Sequence, residues 1–176
     1  MHNLKLSADV DFPAINVAML GGGKIQLGRV EENYPWQMVV VYRGKHCPLC
    51  TKYLRVLNTL LPRYHKEGVH VVAVSADGLN KAQQHMKEIK PDFPIGYDLS
   101  IEQMRQLGLY ISHPRSPQET DRPFAEPGIF VVNETGRLQI VDISNAPFAR
   151  PDLQTLLVGI EFIRNPENNY PIRGTY

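Results

Sequence analysis

The sequence predicts an α/β fold in which helices flank a central mixed sheet, with a β-hairpin added at the N-terminal end. A β-branched run at residues 37–43 leads into a long amphipathic helix and then into a second apolar run at residues 69–75. The right-handed crossover of such a βαβ unit implies that its two strands are parallel. Two further strands and a helix follow later in the chain, which gives the order βαβ and then ββα.

The first predicted element is a hairpin, because two short strand-like segments, residues 15–20 and 24–27, flank three consecutive glycines at 21–23. The long helix after the first core strand is predicted to begin at Cys47 and to end near Glu67. Its apolar residues recur at helical spacing, which predicts that this face lies on the core. These residues are Leu49, Tyr53, Val56, Leu57, Leu60, Leu61 and Tyr64.

The middle of the chain predicts a helix over residues 80–90 and an extended segment over residues 93–97. Ser100 begins a capping-box helix that ends at Gly108. Residues 112–126 are rich in Pro, Ser, Arg and Asp and are predicted to form a loop. Loops of this length are uncommon in compact domains unless they are functional, so this loop either borders the functional site or is a variable surface insertion.

The last predicted elements are strands over residues 128–132 and 137–143, joined by a glycine-containing turn, and a helix that begins near Asp152. No internal repeat or linker separates these elements from the preceding ones. We therefore predict a single domain over residues 1–164, followed by a C-terminal tail at residues 165–176.

Composition argues against several classes of function. Hydrophobic residues make up 43% of the chain, charged residues 21%, and the formal net charge is +1. No broad positive surface for nucleic acid or an anionic membrane is expected from such a balance. The apolar runs are much shorter than the roughly 20 residues of a membrane helix, and the start lacks a signal-peptide pattern. We predict a cytoplasmic protein that binds neither nucleic acid nor a membrane.

Both cysteines of the chain, Cys47 and Cys50, lie in one Cys-x-x-Cys motif at the start of the long helix. We expect Cys47 at the helix N-cap, Pro48 at the first helical position and Cys50 in the first turn. The unpaired N–H groups and the positive end of the helix dipole stabilise a thiolate there, so reactive cysteines in such settings titrate below the free value of roughly 8.5. The motif predicts redox thiol chemistry.

A zinc site is the main alternative interpretation of the cysteine pair. Zinc takes about four ligands, and the chain has no second cysteine pair. His46 is adjacent to Cys47 in the chain, which is too close for both to join one tetrahedral ligand set easily. We expect neither a metal nor a cofactor.

A strand, a Cys-x-x-Cys and a helix within βαβ, followed by ββα, form the thioredoxin architecture. The chain resembles the alkyl hydroperoxide reductase/thiol-specific antioxidant branch of the thioredoxin superfamily, in its peroxiredoxin-like subgroup with a Cys-x-x-Cys, over about residues 11–164. Peroxiredoxins have Pro-x-x-x-Thr-x-x-Cys where this chain has Arg43-x-x-x-Cys47-x-x-Cys50. Residues 127–136 are similar to a later segment, Arg-Gly-hydrophobic-Phe, of that family. The resemblance implies a thioredoxin-like fold with Cys50 at the peroxidatic position.

The chain departs from the peroxiredoxin pattern at three of these positions. Arg43 replaces the proline, Cys47 replaces the threonine, and Pro127 replaces the second active-site arginine. The hydroxyl and guanidinium that hold peroxide against the thiolate are therefore missing. In thioredoxins the same alignment makes Cys47 the exposed nucleophile, and Pro127 matches the cis-proline beside their disulfide. The alternative for Pro127 is a trans proline that precedes a strand.

Four side chains with basic groups are expected around the thiols: Arg43, Lys45, His46 and Lys52. Nearby positive charge favours the thiolate. Arg43 either faces the thiolate or is a surface charge at a strand end. His46 is either a supporting catalytic group or a solvated loop residue.

Three functions fit this site. In a peroxidase, the Cys50 thiolate attacks a hydroperoxide, becomes a sulfenic acid, and condenses with Cys47 to a disulfide. In a thioredoxin-like disulfide reductase, Cys47 attacks a substrate disulfide and Cys50 resolves the mixed disulfide. A redox-sensing or binding domain without turnover is the third. The expected partners are a hydroperoxide or disulfide substrate, a thiol electron donor such as a thioredoxin-type protein, and a second copy in a homodimer.

Overall fold

The structure of the chain, a computed structural model, describes residues 4–176. Over these residues the chain forms nine β-strands, four α-helices and one 3₁₀ helix, at Pro166–Asn168. The strands are β1 (Ile15–Met19), β2 (Lys24–Leu27), β3 (Trp36–Val41), β4 (Val69–Val74), β5 (Ile95–Tyr97), β6 (Ile111–Ser112), β7 (Phe124–Ala125), β8 (Gly128–Val132) and β9 (Leu138–Ile143). The α-helices are α1 (Pro48–Lys66), α2 (Leu79–Ile89), α3 (Ile101–Gln106) and α4 (Leu153–Arg164).

The centre of the fold is a mixed sheet of seven strands in the order β2-β1-β5-β4-β3-β8-β9. Strands β3, β4 and β5 are parallel, and the other neighbouring pairs are antiparallel. All six residues of β3 are buried, as expected for a strand whose two faces are both covered by other elements. The predicted βαβ unit, the later hairpin and the N-terminal hairpin are all confirmed, and β1 joins the hairpin to the sheet by pairing with β5.

Two apolar layers cover the sheet. One contains the buried faces of α1, α2 and α4 together with both cysteines. The other contains residues of α3, the N-terminal hairpin and the opposite side chains of β3, β4 and β8. Successive side chains of a strand point to opposite faces, so the apolar run of β3 contributes to both layers. The carboxyl end of β3 therefore brings the chain to the start of α1 inside the first layer.

Helix α1 begins and ends as the sequence predicts, but the phase of its buried face differs. Gly68, with φ of +73°, follows its end in the left-handed conformation. The prediction that Leu49 and Val56 face the core is wrong, because they are 46% and 41% exposed. At about 100° per residue they lie on one flank of α1, roughly 100° or more from the middle of its buried face. The buried residues are Cys50, Thr51, Leu54, Leu57, Leu61 and Tyr64.

The segment predicted as a loop over residues 112–126 is held at both ends. Its flanks, β6 and β7, form a small antiparallel sheet, which the sequence did not predict. Between them, Lys81 of α2 donates to the Thr120 hydroxyl at 2.9 Å, and Arg122 pairs with Asp98 at 2.9 Å. These contacts fix the segment beside α2 and close to the start of α1.

Helix α4 has Asp152 as its N-cap, where the carboxylate accepts the N–H of Thr155 at 2.8 Å. Beyond it, the ring of Tyr170 lies 5.7 Å from that of Phe162.

The domain predicted over residues 1–164 stays a prediction, and its residues 1–3 lie outside the described part of the chain. Of the helices within residues 4–176, none combines the length and the apolar character needed to span a bilayer.

Candidate active site

A disulfide bond joins Cys47 and Cys50, whose Cα atoms are 5.2 Å apart. Cys47 is the N-cap of α1, Pro48 follows at the start of the helix, and the Cys47 sulfur accepts the backbone N–H of Cys50 at 3.2 Å. This arrangement is the one that the motif predicts. The expectation that Cys47 is exposed is wrong: Cys47 is 1% and Cys50 0% exposed, because both belong to the apolar layer beneath α1.

A tight turn delivers the chain from β3 to Cys47. Gly44 has φ of +136°, and a Cβ atom at this position would lie 2.6 Å from Oδ1 of Asp77. The other carboxylate oxygen of Asp77 accepts the backbone N–H of Lys45 at 2.7 Å. Burial raises the pKa of Asp77, and the hydrogen bond from Lys45 opposes that rise. Asp77 therefore fixes the conformation of the turn immediately before the cysteine pair.

Arg43 lies at the end of β3 and forms an ion pair with Glu126, with 3.1 Å between Nε and Oε2. The Glu126 carboxylate also accepts the hydroxyl of Ser112 at 2.8 Å. The Arg43 guanidinium lies 4.8 Å from the centre of the Phe124 ring. Both partners of the ion pair are largely buried, so Arg43 is a compensated cation at the edge of the site. The alternative of a free surface charge is wrong.

His46 packs against the same aromatic ring, with 4.5 Å between its ring centre and that of Phe124. Both ring nitrogens of His46 are shielded from solvent and have no hydrogen-bond partner. Burial lowers the pKa of His46, and the positive charge of Arg43 lowers it further. The imidazole is therefore neutral at neutral pH and is not a solvated loop residue. It borders a polar cavity of about 350 Å³ that also contacts Lys45, Lys81 and Glu119.

A buried polar pair lies on the other side of the cysteines. Thr51, which follows Cys50, has its hydroxyl 2.8 Å from Nε2 of His85 and 3.4 Å from the carbonyl oxygen of Cys47. His85 is fully buried, and this burial lowers its pKa to about 4. Neither residue was predicted from the sequence to lie at the site. The available signal was the position of His85 three residues after Ala82, on the buried side of α2.

Pro127 begins the approach to β8 and is buried. No cis peptide bond occurs within residues 4–176, so the expectation of a cis-proline is wrong. A trans bond is the usual state before proline. Backbone hydrogen bonds hold the chain on both sides of this peptide bond. The N–H of Glu126 donates to the carbonyl oxygen of Tyr110 at 2.8 Å, and the N–H of Ser144 donates to the carbonyl oxygen of Pro127 at 3.0 Å.

The structure separates Lys52 from the other predicted cations. Lys52 is exposed and lies on the flank of α1 that faces the segment before α4. Lys45 is exposed near the polar cavity, whereas Arg43 and His46 pack on Phe124. Among the residues described, no group of three or more His, Cys, Asp or Glu side chains is placed to hold a metal ion. The chemically distinctive feature of the site is the disulfide itself.

Residues 9–141 match the AhpC/TSA family. The chain belongs to this family. It is 24% identical over 110 residues to a probable 1-Cys peroxiredoxin of Syntrichia ruralis, which covers 60% of this chain and 50% of that protein. It is 27% identical over 107 residues to the thiol-disulfide oxidoreductase ResA of Bacillus thuringiensis, which covers 60% of each. The chain thus spans about half to three fifths of the length of these relatives.

Solved structures confirm the fold. Peroxiredoxin 6 of Arenicola marina matches with a TM-score of 0.78 at 18% identity, over 92% of this chain and 75% of that one. A peroxiredoxin-like protein from Aquifex aeolicus matches with a TM-score of 0.74 at 16% identity, over 91% and 89% of the two chains. The predicted thioredoxin-like fold and the resemblance to peroxiredoxin-like proteins with a Cys-x-x-Cys are confirmed.

Proposed function

We propose that this chain is a thiol-dependent oxidoreductase that reduces hydrogen peroxide or an organic hydroperoxide and whose oxidised state is the Cys47–Cys50 disulfide. The observation that carries this proposal is the bond between the N-cap sulfur and the sulfur in the first turn of an intact helix. Membership of the AhpC/TSA family supports thiol chemistry at this position.

The proposed cycle has three steps. The Cys50 thiolate attacks one oxygen of the hydroperoxide, the O–O bond breaks, and the leaving oxygen takes a proton and departs as an alcohol or water. The Cys47 thiol then attacks the Cys50 sulfenic acid, a water molecule leaves, and the disulfide forms. A thiol donor, such as a thioredoxin-type protein, finally reduces the disulfide by two successive exchanges.

We assign supporting roles to neighbouring groups. His46 is neutral, immediately precedes Cys47 and has two unpartnered ring nitrogens, so it is the proposed acceptor of the Cys47 proton. Pro48 fixes the start of α1. Arg43 supplies positive charge near the cysteines, and its ion pair with Glu126 partly offsets that charge. Pro127 anchors the neighbouring strand. Because both cysteines are buried, reaction with a substrate requires local opening of the first turn of α1.

A thioredoxin-like disulfide reductase is the second candidate, and one observation favours it. The Cys47 sulfur, and not that of Cys50, accepts a backbone N–H at the start of α1. A helix N-terminus stabilises negative charge, so Cys47 is the better-placed thiolate. In this route Cys47 attacks a substrate disulfide, and Cys50 then releases the mixed disulfide. The similarity to ResA supports this candidate.

Single-cysteine variants test the two candidates. If the chain is a peroxidase, reduced Cys47→Ser treated with hydrogen peroxide acquires a sulfenic acid on Cys50, which dimedone traps as a mass adduct, whereas Cys50→Ser does not. If it is a disulfide reductase, Cys50→Ser holds an oxidised peptide on Cys47 as a stable mixed disulfide. The absence of both products, in folded protein, would favour a redox-sensing or binding domain without turnover.

Two further properties stay predictions. A cytoplasmic location is expected because an isolated Cys-x-x-Cys suits a reducing compartment. A homodimer is the expected assembly, and sedimentation of the oxidised and reduced forms would measure it.

A further inference from the structure

A groove of about 320 Å³ lies beside the disulfide, between α1 and the segment that precedes α4. We call it the disulfide groove; it is lined chiefly by Leu49, Lys52, Tyr53, Val56, Phe148 and Arg150. Leu49, which stands between the two cysteines in the motif, lines the groove, whereas the cysteines themselves are buried beneath it. The exposed flank of α1 forms its floor, and Phe148 at its edge is 81% exposed.

Arg150 is the unusual residue of the groove. Its Nε donates to the carbonyl of Pro147 at 2.8 Å, and its guanidinium lies 4.3 Å from the centre of the Tyr53 ring. These two contacts fix the orientation of the guanidinium. Its Nη1 atom is shielded from solvent and has no hydrogen-bond partner. A charged N–H group without a partner is costly, so the Arg150 guanidinium has hydrogen-bonding capacity that the described residues do not use.

The charges around the groove are not balanced. Lys52 is exposed and, like Arg150, forms no ion pair with the described residues. The acid that lines the groove, Asp152, caps α4 and accepts both the N–H and the hydroxyl of Thr155. The nearby Glu126 is already paired with Arg43. The groove therefore combines an apolar floor with two cations that form no ion pair and one lining carboxylate, a net positive charge that complements an apolar and acidic occupant.

We propose that the disulfide groove binds an acidic, apolar segment of the thiol protein that reduces the Cys47–Cys50 disulfide. A carboxylate of that segment contacts the guanidinium of Arg150 and the ammonium of Lys52, and its apolar side chains pack on Leu49 and the residues around it. A protein segment fits better than a small molecule because Phe148, at the edge of the groove, is 81% exposed and offers apolar surface that a small occupant would leave uncovered. Arg150 thereby becomes a specificity-determining residue. The inference rests on the proposed function only in requiring that the disulfide exchange with thiols.

The exchange itself is ordinary thiol chemistry. Once the first turn of α1 opens, a thiolate of the donor attacks one sulfur of the Cys47–Cys50 bond, which forms a mixed disulfide and releases the other sulfur as a thiolate that takes a proton. A second donor thiol attacks the mixed disulfide. The donor leaves as a disulfide, and both cysteines of this chain are left as thiols.

Three short peptides that differ in one residue test the proposal. Each contains one cysteine followed by glycine and leucine, and ends in glutamate, glutamine or lysine. The rate at which each peptide reduces the oxidised protein is measured at low ionic strength. We expect the glutamate peptide to react about tenfold faster than the lysine peptide, and the difference to shrink as salt is added. Arg150→Met should remove most of this preference, and Lys52→Glu should reverse it.

Arg164 provides a matched control. Its guanidinium lies 5.1 Å from the Trp36 ring and its Nε donates to the carbonyl of Glu67 at 2.9 Å, near the opposite end of α1. Arg164→Met should keep the full preference for the glutamate peptide. Lys52 is exposed, so Lys52→Glu tests the charge even if Arg150→Met fails to fold. Equal rates for the three peptides with folded wild-type protein would overturn the inference, whereas no reduction by any thiol would overturn the proposed function.

Discussion

Reduction of the Cys47–Cys50 disulfide should lower the free energy of unfolding by an amount that depends on pH. The bond closes a loop over residues 47–50. For a loop of about four residues, the loss of chain entropy in the unfolded state corresponds to about 2 kcal/mol at 25 °C. For a chain of this length, such a loss lowers the melting temperature by about 4–8 °C.

The pH dependence comes from the position of Cys47 at the helix N-cap. The Cys47 sulfur faces the backbone N–H of Cys50, and we expect the ionised thiol of the reduced protein to gain about 0.5–1 kcal/mol there from the helix N-terminus. Only the folded state has the helix, and only the ionised thiol interacts with its N-terminus in this way. The added stability is therefore present at alkaline pH and is lost as the thiol takes a proton. The reduced form should therefore be about 2 kcal/mol less stable near pH 5 and about 1–1.5 kcal/mol less stable near pH 9.5, above the roughly 8.5 at which a free thiol titrates.

Urea unfolding of the oxidised and reduced forms at both pH values measures the two differences. Reduced Cys47→Ser is the control, because a hydroxyl caps the helix without ionising over this range, and its deficit against the oxidised wild type should show a weaker pH dependence. A deficit of the reduced wild type that grows with pH would refute the role given to the helix N-terminus.

Three substitutions around the disulfide give further predictions. Glu126→Gln leaves the largely buried Arg43 without its carboxylate, so urea unfolding should show a loss of about 2–3 kcal/mol, whereas Glu88→Gln in an exposed pair should change stability by less than about 0.5 kcal/mol. Burial lowers the pKa of His85 to about 4, so as the pH falls the unfolded chain binds this proton before the folded chain does, and the free energy of unfolding decreases between about pH 6.5 and about pH 4. In urea unfolding, the stability of His85→Gln should decrease less over that pH range. Asp77→Asn removes a buried carboxylate of raised pKa and keeps an acceptor, so a stability loss above about 1 kcal/mol at neutral pH would contradict this interpretation.

Most of the fold can be predicted from short-range patterns in the sequence. The β-branched run of β3, the Cys-x-Leu-Cys spacing around Pro48 and the capping box at Ser100 each fix a short segment by its own chemistry, and the structure confirms them. Helical phase was harder to predict for α1. Leu49 and Val56 are apolar, but they lie on a flank that no element fully covers, and apolarity alone does not distinguish a core face from a groove.

The surroundings of the disulfide depend on contacts between distant parts of the chain. Arg43 and Glu126 meet through the pairing of β6 with β7, and strands of two residues leave no periodic signal in the sequence. The unpartnered Nη1 of Arg150 is likewise visible only once the segment before α4 lies against Tyr53. Family resemblance did not supply the conformation of Pro127, because the peptide bond before it has the usual trans geometry in this chain.

The most direct test of the central claim is the stoichiometry of a single turnover. Fully reduced protein is mixed with limiting hydrogen peroxide, free thiols are then blocked by alkylation, and the masses of the products are recorded. The account predicts one Cys47–Cys50 disulfide formed for each peroxide consumed, with no product beyond the sulfenic acid stage. Peroxide consumption without the disulfide, or cysteines that stay reduced under excess peroxide and excess oxidised peptide alike, would contradict it.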